Sequence, residues 1–287
     1  MQLLNLNKPQ GITSQEAVTK VKRLLKIKKA GHTGTLDPIA TGVLVICLDE
    51  ATKLAGYLIN LDKEYVITMK LGERTDTFDA EGKVIGKVED FNVTEDMVRE
   101  VLDKFRGRQI QKVPPYSAVK RGGVPLYKLA RSGMEVERPS REVNIYSIEL
   151  MEFQKEVLKI KVRCSKGTYV RTLIDDIGLR LGTFAHITGL VRTAVGPFRI
   201  EESFSLEDLK EGRFNLIPVD EGLSVYPEIR LKGSEARALK NGSFIPVPLT
   251  LKFNEGTILR LYDESGFFGM AIVRGGRLKP ERIVRTV

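Results

Sequence analysis

The spacing of hydrophobic and polar residues predicts a chain that mixes strands and helices. Residues 64–71 read EYVITMKL and place an apolar side chain at every second position, which is the period of a half-buried strand. VLVICL at 43–48 is an unbroken apolar run, typical of a strand buried on both faces. Thr13 and Glu16 have the spacing of a capping box, and the apolar residues that follow, as far as Leu25, have the spacing of a helix.

Further along the chain, the same patterns predict two more helices and two more strands. TEDMVREVLDKF at 94–105 is amphipathic and begins on a threonine suited to capping a helix. Strands are predicted at 143–152 and 156–164, where apolar and polar residues alternate. The SKG turn at 165–167 leads into a helix over residues 168–181, which ends before a glycine.

The character of the sequence changes near residue 226. From there on, short apolar segments are separated by NGS, NEG, DESG and RGG, turn sequences that predict a small β-barrel. A length of 287 residues suits two domains. We therefore expect an α+β fold with a larger domain over residues 1–226 and a smaller one over 227–287.

The charge of the chain indicates a polyanionic partner. Lys and Arg outnumber Asp and Glu by 46 to 37, which gives a net charge of +9 at pH 7. Residues 106–141 hold nine Lys or Arg against two Glu, with Tyr116 and Tyr127 interleaved, and their many Gly and Pro predict an extended, partly irregular insertion. Residues 226–287 hold eleven bases and six acids. RNA or DNA is favoured over a membrane surface, because no strongly amphipathic basic helix accompanies these regions.

The sequence also argues against several classes of protein and site. No apolar run is long enough to cross a membrane and the first residues do not resemble a signal peptide, so we expect a cytoplasmic protein. Cys47 and Cys164 lie in apolar strands without a second Cys or His at ligand spacing, which predicts core thiols and no metal. There is no P-loop, dinucleotide fingerprint or GxSxG elbow, and we expect no cofactor.

The segment GHTGTLDP at 31–38 combines glycines with two candidate chemical residues, His32 and Asp37. Asp37 precedes Pro38, and this pair alone is typical of a helix N-cap followed by proline at the first helical position. A lone histidine such as His32 is more often a hydrogen-bonded structural residue than a catalyst. Taken alone, the segment has a structural interpretation.

Other candidates also have a structural interpretation when taken one at a time. Tyr65 lies on the apolar face of its predicted strand, where packing in the core is the usual role. Arg171 and Asp175 are four residues apart on a predicted helix, a spacing that a surface ion pair would explain. The acidic segment TDTFDAEG at 75–82 lacks the spacing of a calcium loop and predicts a cluster of turns.

A series of motifs follows in order along the larger domain. They are GHTGTLDPIATGVLVICL (31–48), EATK (50–53), DKEY (62–65), GERTDTFDAEG (72–82), VPPYSAVK (113–120), CSKGTYVRTLIDDIG (164–178) and HITGLVRT (186–193). Taken together, these motifs resemble those of the TruB-type tRNA pseudouridine synthases, enzymes that make pseudouridine at position 55 in the T loop. GSEARALKNG at 233–242 and RLKPERI at 277–283 are similar to an RNA-binding PUA domain.

The resemblance implies a pseudouridine synthase fold, in which a mixed, largely antiparallel sheet is flanked by helices and followed by a PUA-like β-barrel. It implies that Asp37 is the catalytic nucleophile and that Arg171 pairs with it and keeps it ionised. Tyr65 matches the tyrosine that stacks on the target base and assists its deprotonation. The reaction is an isomerisation, so the resemblance implies neither a metal nor a redox cofactor.

The resemblance also assigns residues that bind the substrate. Tyr169 and Leu190 match positions that line the pocket for the target base, and His32 matches the residue that occupies the space vacated when the base flips out. The basic insertion over residues 106–141 corresponds to a clamp on the RNA, and the expected partner is the T stem-loop of tRNA. We expect the protein to act as a monomer.

Two other functions remain open at this point. One is the activity of the guide-RNA-dependent relatives, which share the catalytic core; the first motif begins near the start of the printed sequence without long basic extensions, which favours the guide-free enzyme. The other is a non-catalytic RNA-binding or RNA-folding protein, which the presence of Asp37, Tyr65 and Arg171 in one chain argues against. Conversion of uridine in a bare tRNA transcript would separate the three.

Overall fold

A computed structural model describes residues 1–117, 119–126, 129, 137–248 and 251–284. Its strands and helices follow one another as an α+β chain, as predicted. In chain order the strands are β1 (Gln2–Lys8), β2 (Ala30–His32), β3 (Thr41–Leu48), β4 (Lys63–Leu71), β5 (Glu73–Thr75), β6 (Val84–Lys87), β7 (Gly107–Lys112), β8 (Lys120–Arg121), β9 (Val124–Pro125), β10 (Ser140–Gln154), β11 (Val157–Cys164), β12 (Ala185–Val195), β13 (Phe198–Arg199), β14 (Ile217–Pro218), β15 (Glu228–Arg230), β16 (Ile245–Pro246), β17 (Ile258–Asp263), β18 (Gly266–Arg274) and β19 (Arg277–Ile283). The α-helices are α1 (Ser14–Leu25), α2 (Ala55–Ile59), α3 (Glu95–Asp103), α4 (Val170–Arg180), α5 (Leu206–Lys210), α6 (Val219–Gly222) and α7 (Gly233–Lys240).

The largest sheet has ten strands and carries the elements that position the candidate site. Its main path runs β14-β1-β3-β12-β4-β11-β10-β7, with β2 paired to β3 and β13 paired to β12. Strands β3 and β12 run parallel, and the other neighbours in this sheet run antiparallel. The predicted mixed, largely antiparallel sheet is therefore confirmed.

Local sequence signals account for several of these elements. The Thr13 hydroxyl accepts a hydrogen bond from the backbone N–H of Glu16 at 3.1 Å, and the Glu16 carboxylate accepts one from the backbone N–H of Thr13 at 2.7 Å. This capping box starts α1, as predicted. In β4 every second residue is buried, and β3 is buried over nearly its whole length, which confirms both strand predictions.

The ten-stranded sheet has a hydrophobic core on each face. In β3 the side chains of Leu44, Ile46 and Leu48 belong to the core that also contains residues of α1, α3 and α4. The intervening Val43, Val45 and Cys47 belong to a second core on the opposite face. Such alternation requires apolar residues at every position of the strand. Cys47 and Cys164 are free and buried, as predicted. No helix within the described ranges is long and apolar enough to span a membrane.

The C-terminal segment forms a sheet of its own. Its five strands follow the order β15-β17-β18-β19-β16, so that within the described residues this sheet is an open, curled half-barrel. The short helix α7, which the turn-rich pattern did not predict, packs against β19 and β16. Tyr262, Phe267 and Met270 also pack into the second core of the ten-stranded sheet. The boundary at residue 226 stays a prediction.

The basic insertion begins and ends as part of the large sheet. Strand β7 pairs with residues 140–145 at the start of β10, so the excursion from the sheet covers about residues 113–139 rather than 106–141. A short hairpin of β8 and β9 lies within it. Tyr127 and most of residues 128–136, which the sequence placed in this basic region, lie outside the described residues.

Candidate active site

Asp37 lies in the loop between β2 and β3, at the start of a turn. Its backbone carbonyl accepts a hydrogen bond from the N–H of Ala40 at 3.0 Å, and Pro38 occupies the second position of this turn, which its fixed φ favours. The Pro38 carbonyl accepts a hydrogen bond from Gly11 at 2.9 Å. No helix follows, so the interpretation of Asp37 as a helix cap is wrong. The Asp37 side chain is 34% exposed.

Arg171, near the start of α4, binds the Asp37 carboxylate through two nitrogens. The Arg171 Nε–Asp37 Oδ2 distance is 3.0 Å and the Nη2–Oδ1 distance is 3.3 Å. The remaining donors of the guanidinium bind the carbonyls of Thr77 at 3.2 Å and Tyr116 at 3.0 Å, and the carboxylate of Asp79 at 3.4 Å. These fixed partners hold the fork of Arg171 in the orientation that meets Asp37.

The ion pair predicted between Arg171 and Asp175 is absent, because each has a partner from a distant part of the chain. Asp175 accepts two hydrogen bonds from Arg74, at 2.6 and 2.7 Å. This second ion pair ties β5, which contains Arg74, to α4. In the loop after β5, Asp79 is only 3% exposed and accepts a hydrogen bond from the Thr77 hydroxyl at 2.6 Å. The sequence pattern around Asp79 predicted only a cluster of turns and gave no sign of its contact with Arg171.

The electrostatics of Asp37 are set by burial and by its charged neighbours. Burial raises the pKa of the Asp37 carboxyl, and the nearby negative charge of Asp79 adds to this rise. The positive charges of Arg171, Lys8 and Arg192 oppose it. Lys8 is itself buried, which lowers its pKa to about 8. The carboxylate therefore depends on these cations to stay ionised in a partly desolvated site.

Arg192, on β12, supports the Asp37 loop from within the core. Its side chain is almost fully buried and donates to the carbonyls of Val43 at 2.7 Å, Gly34 at 3.0 Å and Thr35 at 3.4 Å. Arg192 pairs in register with Tyr65 on β4. Burial raises the pKa of the Tyr65 phenol, and the charge of Arg192 opposes the rise. Arg192 was not among the predicted site residues, although it lies in the HITGLVRT motif.

Tyr169 is fixed at the N-terminus of α4 by a residue of the sheet edge. The Gln111 side chain, on β7, donates to the Tyr169 carbonyl at 2.9 Å and accepts from its N–H at 2.7 Å. The guanidinium of Arg141 lies over the Tyr169 ring, 4.9 Å from its centre. Gln111 therefore satisfies a free N–H at the start of this helix, where Tyr169 itself provides no side-chain cap.

One cavity of about 550 Å³ brings most of the predicted site residues together. Its walls include five of the six predicted site residues, and His32 is the exception. His32 is half-buried on β2, and its Nδ1 accepts a hydrogen bond from the N–H of Gly34 at 3.4 Å. Burial lowers the pKa of His32, which favours the neutral ring. Within the described ranges, no cluster of His, Cys, Asp and Glu could hold a metal ion. The five predicted residues on the walls are Asp37, Tyr65, Tyr169, Arg171 and Leu190.

The chain matches three families along its length. Residues 22–170 match the N-terminal domain of the TruB family of pseudouridylate synthases. Residues 171–220 match the C-terminal domain of tRNA pseudouridylate synthase B, and residues 227–284 match the family described as pseudouridine synthase II TruB, C-terminal.

Individual relatives and a solved structure are also similar to this chain over most of its length. The chain is 45% identical over 271 residues to tRNA pseudouridine synthase B of Clostridium tetani, which covers 93% of this chain and 94% of the relative. It is 46% identical over 280 residues to tRNA pseudouridine synthase B of Francisella philomiragia, covering 95% and 91% of the two chains. Among solved structures, an H/ACA ribonucleoprotein bound to a substrate RNA containing 2′-deoxyuridine contains a chain with a TM-score of 0.75 and 26% identity, covering 99% of this chain and 85% of that one. The protein therefore belongs to the TruB family of pseudouridylate synthases.

Proposed function

We propose that this protein converts uridine 55 in the T loop of tRNA to pseudouridine, as a cytoplasmic monomer, with Asp37 as the nucleophile. The observation that carries the proposal is the paired Asp37 carboxylate and Arg171 guanidinium in a cavity also lined by Tyr65, Tyr169 and Leu190. The names of the relatives that cover nearly the whole chain support tRNA as the substrate.

The chemistry suits a carboxylate acting without a redox group. The N1–C1′ bond of uridine breaks, the base rotates, and a C5–C1′ bond forms, while the proton lost from C5 is balanced by one gained at N1. No electrons are gained or lost overall. Asp37 acts through its ionised carboxylate, which attacks either C1′ of the sugar or C6 of the ring. Nothing in this balance calls for a metal or a nicotinamide, and we propose that neither is used.

The other residues of the cavity have roles that follow from their positions. Arg171 keeps the Asp37 carboxylate oriented and favours its ionised form. Tyr65 is the surface on which the flipped base stacks, and its phenol assists removal of the C5 proton. Tyr169 and Leu190 form further walls for the base. Flipping a base out of a folded loop costs a few kcal/mol, which such stacking offsets.

Residues outside the cavity are proposed to bind the rest of the RNA. His32, which lies on β2 and is not part of the cavity wall, fills the space left by the flipped base. The basic insertion, about residues 113–139, clamps the T loop, and the second domain, over 227–287, is a PUA-like module that contacts phosphates. Arg274 and Arg277 support this last role, because both are exposed and lie opposite each other on β18 and β19.

The guide-dependent activity is the main alternative. The ribonucleoprotein chain that shares this fold is 26% identical, whereas the relatives named tRNA pseudouridine synthase B reach 45 and 46%. This difference favours modification of tRNA without a guide. A purely RNA-binding or RNA-folding protein would have no use for a partly desolvated carboxylate held by a bidentate arginine.

The test is an assay without guide RNA. The purified protein is incubated with an unmodified tRNA transcript and with a T-arm hairpin that folds in EDTA, and pseudouridine is located by chemical adduct formation and sequencing. We expect conversion at position 55 in both RNAs. Conversion at another position would overturn the proposed site, and conversion only after a guide RNA is added would favour the alternative. Turnover that requires added zinc would overturn the metal-free mechanism.

A further inference from the structure

A buried serine hydroxyl in the wall of the catalytic cavity has no hydrogen-bond partner among the residues that the structure describes. Ser117 is only 6% exposed, and its Oγ is fully shielded from solvent. Native proteins rarely leave such groups unsatisfied, because a buried hydroxyl that has lost its water partners destabilises the fold. An unsatisfied hydroxyl in a cavity that receives a substrate therefore indicates a bond made to the substrate.

Three threonine hydroxyls of the same cavity wall are already engaged with protein partners. Thr13 donates to the Glu16 carboxylate at 2.8 Å, and Thr77 donates to the Asp79 carboxylate at 2.6 Å. Thr168 donates to the carbonyl of Ser165 at 2.9 Å. Their protons are committed to fixing loops and a helix start, whereas the proton of Ser117 is available.

Ser117 is also held close to the reacting carboxylate by the backbone of the residue before it. The carbonyl of Tyr116 accepts a hydrogen bond from Nη2 of Arg171 at 3.0 Å, and the same nitrogen lies 3.3 Å from Asp37 Oδ1. The backbone that precedes Ser117 is therefore anchored to the same cation that orients Asp37. This anchoring fixes the position of Ser117 relative to the nucleophile.

We infer that the Ser117 hydroxyl turns about its Cα–Cβ bond into the cavity when the flipped uracil enters, donates a hydrogen bond to a carbonyl oxygen of the base and positions it for isomerisation. The inference rests on the proposed function, because it assumes that uracil enters this cavity. Uracil offers two carbonyl acceptors, O2 and O4, and a serine hydroxyl is a donor of suitable size for either.

Because of the geometry of the reaction, one such donor can bind the base both before and after it rotates. After detachment, the base must rotate until C5 occupies the former position of N1. This motion is a half-turn about the axis through N3 and C6. This rotation exchanges C2 with C4, and therefore places O2 where O4 was. A hydroxyl directed at one carbonyl of uridine consequently meets the other carbonyl of pseudouridine in the same place, so that Ser117 can hold the base before and after the rotation.

The test compares Ser117→Ala, Ser117→Thr and the matched control Ser224→Ala, which changes an exposed serine far along the chain. Pseudouridine formation in the T-arm hairpin gives kcat/KM, and a melting curve gives the stability of each free protein. We expect Ser117→Ala to lose about three- to tenfold in kcat/KM, the size of one neutral hydrogen bond. Its melting temperature should equal or exceed that of the wild type, because an unsatisfied polar group has been removed. Ser117→Thr should recover activity, and Ser224→Ala should match the wild type.

Hairpins with 2-thiouridine or 4-thiouridine at the target position identify the bond itself, since sulfur is a weaker acceptor than oxygen. If Ser117 binds a carbonyl, the loss caused by Ser117→Ala shrinks with one of these RNAs, because the two changes remove the same interaction. Full activity of Ser117→Ala, or an undiminished loss with both thio substrates, would overturn the inference while leaving the proposed function intact. A wild-type protein that forms no pseudouridine in tRNA or hairpin would overturn both.

Discussion

Arg171 holds both oxygens of the Asp37 carboxylate, with Nε 3.0 Å from Oδ2 and Nη2 3.3 Å from Oδ1, although 134 residues separate the two in sequence. The carboxylate belongs to a loop of the sheet, and the guanidinium belongs to the first turn of α4. Burial raises the pKa of Asp37 and the arginine opposes this rise, so the pair keeps a reactive carboxylate in a partly dry cavity. Changes to either residue should therefore alter the chemistry more than the binding of RNA.

Replacing Asp37 with Asn should abolish turnover and spare RNA binding. The amide keeps the shape of the carboxyl group and cannot act as a nucleophile, so we expect single-turnover pseudouridine formation to fall by roughly 10³-fold or more. Affinity for tRNA should stay near that of the wild type, because phosphate contacts elsewhere supply most of it. A variant that keeps a substantial fraction of wild-type turnover would refute the assignment of Asp37.

Asp37→Asn should also be at least as stable as the wild type at neutral pH. Because the pKa of Asp37 is raised in the folded protein, the folded state binds the proton more tightly than the unfolded chain, and ionisation at neutral pH costs stability. Asn avoids this cost. The melting temperature of Asp37→Asn at pH 7.5 should therefore equal or exceed that of the wild type, and the difference should shrink as the pH falls through the raised pKa. A large loss of stability would instead indicate a structural role.

Arg171→Lys should be far from conservative. A lysine ammonium cannot reproduce the planar fork that meets both oxygens of Asp37 and also binds Asp79 and two carbonyls. We expect turnover to fall about 10²-fold through a misplaced carboxylate, with tRNA affinity preserved. Arg180→Lys is the matched control, because Arg180 is an exposed residue of the same helix and does not line the catalytic cavity. Equal turnover of the two variants would rule out a specific role for the Arg171 fork.

The rate should depend on pH through Asp37. The nucleophile must be ionised, so pseudouridine formation should fall as the pH is lowered, with a midpoint above about 3.9, the ordinary pKa of an aspartate. Single-turnover rates on the T-arm hairpin, measured over a series of acidic pH values, give this decline, which is the acidic limb of the rate profile. Affinity for the hairpin and its melting curve at each pH separate the effect from unfolding of the RNA. A midpoint at or below the ordinary value would contradict a desolvated carboxylate.

Local patterns in the sequence predicted the elements that carry the site. The capping box at Thr13, the alternation in β4 and the apolar run of β3 depend on neighbours within a few residues, and the structure has all three. The resemblance of ordered motifs then predicted five residues that line one cavity, from Asp37 to Leu190. The three element predictions succeeded because each rests on adjacent residues, and the roles of the five cavity residues stay predictions.

Interactions between distant segments could not be predicted in the same way. Asp79 meets Arg171 across 92 residues, and nothing in the TDTFDAEG segment reveals that it folds onto α4. The spacing of Arg171 and Asp175 predicted a local ion pair, yet the fold brings Asp37 to Arg171 and Arg74 to Asp175. The free hydroxyl of Ser117 is likewise a property of the folded cavity, because only the fold determines which donors lack a partner.

The arginines of the second domain give a test of RNA binding that leaves the fold intact. Deleting residues 227–287 would remove Tyr262 and Phe267 from a core shared with the large sheet, so an inactive deletion variant would be ambiguous. The double variant Arg274→Ala/Arg277→Ala changes exposed side chains only. We expect weaker tRNA binding and a salt dependence flatter by about one unit of slope for each phosphate that an arginine no longer neutralises.

Turnover of this double variant at saturating RNA should remain near that of the wild type, because the proposed phosphate contacts lie away from the reacting uridine. Lys155→Gln, in the exposed turn between β10 and β11, is the control for removal of a positive charge. An unchanged affinity and salt slope in the double variant would show that this pair does not bind RNA.

Asp79→Asn should move the acidic limb of the rate profile to lower pH. The charge of Asp79 contributes to the raised pKa of Asp37, so its removal makes Asp37 easier to ionise. The amide oxygen can keep the 2.6 Å hydrogen bond from the Thr77 hydroxyl at the Oδ1 position, and only the 3.4 Å contact from Arg171 to Oδ2 is lost. Arg171 keeps its contacts with Asp37 and with two carbonyls, so the rate above the limb should fall less than in Arg171→Lys. Asp76→Asn is the control from the same loop, because Asp76 binds the N–H of Lys83 at 2.8 Å and makes no contact with Arg171 among the described residues. Its limb should coincide with that of the wild type. If the Asp79→Asn limb stays in place or moves to higher pH, the acidic limb does not report the ionisation of Asp37 in the field of Asp79, and another group controls the rate.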